Sequence, residues 1–241
     1  MFQASEDRQA AFDFLSSLEE YLNRCLPGPA QLVEQIRTIV EESKRTGQTP
    51  QTNFPEGAFL NRFIVPHLHE FLAKRLGKED ARAALLSESF KRLPDYASGT
   101  PARSKRHPFS KIIGTQPQAI IRQWRQREAQ SLVRSCPDLA LRQPCQHKVV
   151  FEGKYFATGG ALAAETALAM GIYQAFFYRG LPPIPKTATH RPWDYDYACL
   201  LAYDATQAGS LQKAWNTIDE AVRWKGLWDG ANIYVMILRG G

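Results

Sequence analysis

The chain carries few cysteines, Cys25, Cys136, Cys145 and Cys199 in 241 residues, and none of them sits in a CxxC spacing. Neither a zinc knuckle nor a disulfide framework is therefore suggested. Cys136 and Cys145 are close enough in sequence to meet across a hairpin, but reduced structural thiols are the expectation. No stretch approaches the roughly 18 apolar residues of a membrane span. The opening MFQASEDRQAAF lacks a basic segment followed by an apolar one, so no signal peptide is expected. These absences point to a cytoplasmic protein without a membrane partner. GxxxxGK[ST] and GxGxxG are missing, which argues against nucleotide hydrolysis and dinucleotide binding. There is no GxSxG elbow and no cysteine in a recognisable nucleophile signature.

What is present is ordinary globular material, 44% hydrophobic and 22% charged, with a net charge of +6. The basic excess is compatible with a polyanionic partner without requiring one. Residues 1–93 read as an all-α region. Phe14, Leu15, Leu18, Tyr21 and Leu22 recur at helical spacing until Pro27-Gly28. A second helix covers about 29–45, with Leu32, Ile36 and Val40 on one face. A third begins near Pro55-Glu56, and a fourth runs to Leu93. Residues 94–116 form a linker rich in turn formers, and its Arg103, Lys105, Arg106, His107 and Lys111 either grip phosphates or make a solvated basic loop. "HLHE" (His67 to Glu70) invites a metal reading, but residues two apart on a helix point in different directions, so boundary histidines are expected.

From residue 117 to 241 the grammar changes. A helix near 117–133 leads to strands near 138–142 and 147–156, then a helix from about 160 to 179. A strand over YDYACLLAY, a helix near 209–224 with Leu211, Trp215, Ile218 and Val222 on one face, and a strand over NIYVMIL complete the chain. That order predicts an α/β core with a mixed sheet flanked by helices. The run from Trp193 to Tyr197 is an aromatic, acidic strand entrance suited either to stacking on bases or to core packing.

The hairpin is the unusual part. Side chains alternate along a strand, so Glu152 and Lys154 share one face while Phe151 and Gly153 share the other. Asp138 opens the preceding strand within reach of Glu152. Two carboxylates on adjacent strands offer hard oxygen ligands suited to Mg2+, with Mn2+ as a substitute. A lysine beside them would orient or help deprotonate a water. Gly153 would let a ligand approach the backbone closely.

Pro137-Asp138 followed by Glu152-Gly153-Lys154 resembles the PD-(D/E)xK nuclease superfamily, which includes most type II restriction endonucleases and the RecB-type exonucleases. The resemblance covers roughly 117–206 and implies a restriction-endonuclease-like core. By it, Asp138 and Glu152 would bind the divalent ion and Lys154 would position the attacking water. Pro94-Asp95 is a decoy without a suitably placed ExK. Ile121, Trp124, Glu128 and Leu132 fall on one helical stripe. The resemblance makes Glu128 the helix glutamate that many members carry near the metal, the alternative being a boundary residue paired with Arg125 or Arg127. Gln174 and Tyr178 fit the QxxxY pattern of the RecB-like branch, lining the site and the nucleic acid, with core packing the other role open to Tyr178. Ala163, Ala167 and Gly171 would let that helix approach the sheet. The iron–sulfur cysteines and helicase motifs of some relatives are absent. The resemblance implies a Mg2+-dependent DNA endonuclease, most simply a type II restriction enzyme cutting double-stranded DNA as a homodimer, with Arg122 and Arg125 adding backbone contacts. Its alternatives are a catalytically inactive nucleic-acid-binding or regulatory protein of the same fold, or a RecB-like subunit of a larger complex.

Overall fold

The structure, a computed structural model, describes residues 2–46, 54–86, 138–179 and 195–241. Two long helices open it, α1 (Phe2–Cys25) and α2 (Pro29–Thr46). Leu15, Leu18 and Leu22 of α1 and Leu32, Ile36 and Val40 of α2 are buried, as one apolar stripe per helix predicts. Next come α3 (Pro55–Phe59), a π-helical turn (Leu60–Ile64) and α4 (Val65–Leu76). The turn widens just before Pro66, which has no N–H to continue the ordinary ladder; the Val65 N–H donates to Leu60 O, five residues back. Gly77, at φ 88, ends α4, and α5 (Lys78–Ala84) follows.

The fourth predicted helix does not run to Leu93. It stops at Ala84, and Leu85–Leu86 form a strand, β1. Leucines favour helix locally, but here the segment pairs with β2 (Leu139–Leu141), Leu85 against Leu141 and Leu86 against Ala140. Tertiary pairing overrides propensity. A strand thus stands inside the stretch expected to be all-α.

The sheet has five strands in the order β1-β2-β3-β4-β5, with β3 at Val149–Phe156, β4 at Tyr197–Asp204 and β5 at Ile233–Leu238. β1, β2 and β3 are antiparallel neighbours, whereas β3, β4 and β5 run parallel. Helix α6 (Ala161–Arg179) connects β3 to β4, and α7 (Ser210–Thr217) follows β4. Phe151, Leu201, Tyr203 and Met236 face the N-terminal helices. Val150, Leu200, Ala202 and Val235 face α6 and α7. The α/β expectation of a mixed sheet flanked by helices, with a helical N-terminal region, holds. β4 is buried along its whole length, as a parallel strand covered on both faces must be.

Two further expectations change. The predicted 209–224 helix breaks at Ile218, which is extended (φ -73, ψ 131). Asp219 accepts the Ala221 N–H at 2.7 Å and starts a new helical segment that passes into a π-helical stretch at Val222–Asp229. On α6, Ala163 is exposed; the sheet-facing residues are Ala164, Leu168, Ile172 and Ala175, with Gly171 over Leu200. Tyr195 and Tyr197 are core residues. Cys25, Cys145 and Cys199 are free thiols, while Cys136 lies outside the described residues.

α1 also protects the edge of β5. Glu19 accepts the Tyr234 hydroxyl at 2.6 Å and the Ile237 N–H at 3.3 Å. Asn23 Oδ1 accepts the Arg239 and Gly240 N–H groups at 3.0 and 3.3 Å. Side-chain acceptors supply what a sixth strand would, blunting an edge that otherwise invites pairing with another chain.

Candidate active site at the end of the hairpin

Among the described residues, the pairing of β2 stops where the unusual side chains stand: β2 pairs with β3 only from Val149 to Phe151. β3 continues to Phe156 beside β4, so the N–H groups that β2 would have engaged need other acceptors. Asp138, immediately before β2, supplies one: its Oδ2 accepts the Gly153 N–H at 2.8 Å. The carboxylate of Glu56, on α3, takes the Tyr155 N–H. Two acids from distant parts of the chain thus line one strand edge in place of a neighbouring strand.

Glu152 and Lys154 project from the α6 face of β3, as the period of two predicts. Glu152 is 3% exposed. Lys154 Nζ donates to Glu152 Oε1 at 2.5 Å and to Gly153 O at 3.1 Å, and stands 3.6 Å from Glu56 Oε2. The stem of Lys154 lies beneath Gly171 of α6, where a Cβ would come 3.3 Å from its Cγ. Two carboxylates therefore lie within ion-pair reach of one ammonium, and the charge of Asp138 acts on it as a third.

That imbalance sets the electrostatics. Burial pushes the Glu152 carboxyl up to about 8, with the negative charges of Asp138 and Glu56 adding to the rise and Lys154 opposing it. Burial also raises Glu56, reinforced by Asp138 and countered by Lys154. Burial alone would lower the Lys154 amine, but the charges of Glu152, Glu56 and Asp138 outweigh it and hold the amine above its ordinary value. Among the described residues three acids thus bear on one ammonium, an arrangement that favours a proton on the most buried acid or a bound cation.

Among the described residues no three Asp, Glu, His or Cys side chains already stand together as an ion's ligand set. The donor chemistry nonetheless fits a hard cation, since Asp138, Glu152 and Glu56 offer only carboxylate oxygens. Asp138 and Glu152 would be the residues to hold it, with Lys154 bonded to Glu152. Gly153 does not open a path for a ligand on its own face, contrary to expectation. Leu60 Cδ2 lies 2.5 Å from where a Cβ would be, so the missing side chain admits the N-terminal helical region.

Gln174 stands one turn beyond Gly171 on the same face of α6, and its Oε1 is buried without a hydrogen-bond donor among the described residues. Tyr178 is 5% exposed and packs in the core between α6 and the sheet. Glu128, Arg103, Lys105, Arg106, Lys111, Arg122 and Arg125 lie outside the described residues, as do Pro94-Asp95 and Trp193-Asp194. His67 edges against Tyr21 in the N-terminal helices.

Sequence reasoning missed Glu56. An acid just after Pro55 in a first helical turn is what the helix dipole favours, so nothing marked it. The signal was available: Glu56, Leu60 and Ile64 are spaced by four, and Leu60 and Ile64 are buried. An acid heading a buried stripe is the same criterion that singled out Glu128. Compared with protein-family models, with curated proteins and with solved structures, the chain matches none of them.

Proposed function

We propose that the protein is a Mg2+-dependent DNA endonuclease that hydrolyses phosphodiester bonds, with a restriction-endonuclease-like core, acting as a type II restriction enzyme on double-stranded DNA and working as a homodimer. The observation that carries this reading is the convergence of Asp138, Glu152 and Lys154 at one end of the hairpin, where Asp138 accepts the Gly153 N–H and Lys154 pairs with Glu152. The mixed α/β sheet with an ExK strand at its centre is consistent with it.

Asp138 and Glu152 hold the ion, and when bound it supplies polarisation of the scissile phosphate and a more acidic water. Lys154 offsets negative charge that builds on the phosphoryl oxygens during in-line attack by water. Its amine stays protonated at neutral pH because three acids act on it, so it acts as a charge and hydrogen-bond donor rather than as a base. Asp138 accepts the Gly153 N–H, which ties its carboxylate to the strand that carries Glu152. The buried Oε1 of Gln174 offers an acceptor to a bound water beside α6.

A plasmid-nicking assay tests this directly. Wild type with Mg2+ should convert supercoiled plasmid to nicked or linear forms, while EDTA or Asp138→Ala abolishes the conversion. Supercoiled plasmids of varied sequence surviving intact with wild type and Mg2+ would remove the nuclease assignment.

A further inference from the structure

Glu56 and Lys154 join parts of the chain that are far apart in sequence, and both ends of the contact are fixed by packing. On one side, Leu60 fills the space above Gly153. Residues four apart share a helix face, so seating Leu60 on Gly153 aims Glu56 at the edge of β3. The Tyr155 N–H holds the same carboxylate there. On the other side, the stem of Lys154 is pinned beneath Gly171, and its side chain is only 19% exposed. The ammonium therefore has two competing carboxylate acceptors, Glu152 at 2.5 Å and Glu56 at 3.6 Å.

The competition matters once Glu152 serves a cation. Its oxygens then face a second positive charge, and its hold on the ammonium weakens. A buried ammonium without a counter-charge is costly and would swing away. Glu56 is the second acid within ion-pair reach of Nζ, carried by a different layer of the fold. We infer that Glu56 is a positioning residue that keeps Lys154 in place when Glu152 turns to the cation, so that the N-terminal helical region completes the candidate active site. The inference rests on the nuclease reading and adds to it a role for a region that the motif does not cover.

The test compares wild type with Glu56→Gln, and with Glu56→Asp, which keeps the charge but shortens its reach. Three quantities are measured: Mn2+ affinity by calorimetry, kcat and KM for plasmid nicking, and the rate of reductive methylation of Lys154 with and without Mn2+, mapped by mass spectrometry. Glu56→Gln should bind Mn2+ within about threefold of wild type, whereas losing a ligand or a ligand's own partner costs about tenfold or more. Its kcat should fall about 10- to 100-fold at little-changed KM, the scale of a misplaced catalytic group. Lys154 should be methylated faster than in wild type only when Mn2+ is present. Glu56→Asp should recover part of kcat, and it carries the comparison if Glu56→Gln does not fold.

A tenfold or greater loss of Mn2+ affinity in Glu56→Gln would make Glu56 a ligand and overturn the positioning role. Wild-type kcat and wild-type Lys154 reactivity in that variant would overturn it too, leaving the nuclease reading intact. If wild type neither binds Mn2+ nor nicks DNA, the function fails and this role fails with it.

Discussion

Two buried acids stand on neighbouring parallel strands, and their surroundings could hardly differ more. Asp204, at the end of β4, is fully buried and richly served. Its oxygens accept the Thr206 N–H at 3.1 Å, the Thr206 hydroxyl at 2.5 Å, and the Leu211 and Gln212 N–H groups at 2.9 and 3.0 Å. Arg239 lies 3.6 Å away. Asp204 caps α7 and ties it to the sheet, a structural task that uses every acceptor it has. Glu152, on β3, is nearly as buried, yet among the described residues one donor, Lys154, reaches it, and two further acids press on it. Burial alone does not distinguish a structural acid from a functional one. The balance of donors does: a surplus locks a carboxylate in place, whereas a deficit leaves it ready for a proton or a cation.

If that contrast is right, substitutions at the two acids should separate activity from stability. Glu152→Gln should lower nicking by about a thousandfold, the scale of removing a charge aimed at the reacting group, while thermal unfolding shows a folded protein. Asp204→Ala should do the reverse. It strands two helix N–H groups and a buried hydroxyl, so urea unfolding should reveal a loss of about 3–5 kcal/mol, with the activity of the remaining folded fraction little changed. A Glu152 variant that unfolds while Asp204→Ala stays stable would break the comparison.

The pH dependence sharpens it. The Glu152 carboxyl is raised to about 8, so the folded protein holds a proton that the unfolded chain releases near the ordinary carboxylate value. The associated stability is complete below that ordinary value and is lost as pH rises through about 8. Without divalent ions, wild type should therefore lose on the order of a few kcal/mol between pH 5 and 9 that Glu152→Gln does not lose, measured by urea titrations at each pH. Added Mg2+ should raise the wild-type Tm more at pH 8 than at pH 6, because the ligand must shed its proton to bind. Equal pH profiles for the two proteins would remove the donor-deficit account of Glu152. A smaller effect is expected at Gly153→Ala. The new methyl meets Leu60 and should cost about 1–3 kcal/mol in chemical denaturation, and it should slow nicking by pushing Glu56 off Lys154.

The hairpin acids were legible because their message is local. Side chains alternate along any strand, so the sequence alone put Glu152 and Lys154 on one face and Gly153 on the other. A short hairpin then brings Asp138 to the register of Glu152, from where its carboxylate reaches the Gly153 N–H. Nothing local could reveal that Leu85–Leu86 leave a helical run to join β2, or that Gly153 is occupied by Leu60. Those depend on which surfaces meet after folding. Ile218 shows the same limit on a smaller scale: an apolar stripe continues through it in sequence, while the backbone turns there to begin a segment capped by Asp219.

The amino-acid order determined the apolar stripes of α1 and α2, the buried parallel strands and the facing of each residue on β3, because all three follow from backbone periods of 3.6 and 2. Tertiary structure decided that pairing with β2 ends at Phe151, that Glu56 fills the gap, and that three acids bear on one ammonium. These outcomes required segments distant along the chain to pack together, and pairwise burial and charge act through space rather than along sequence.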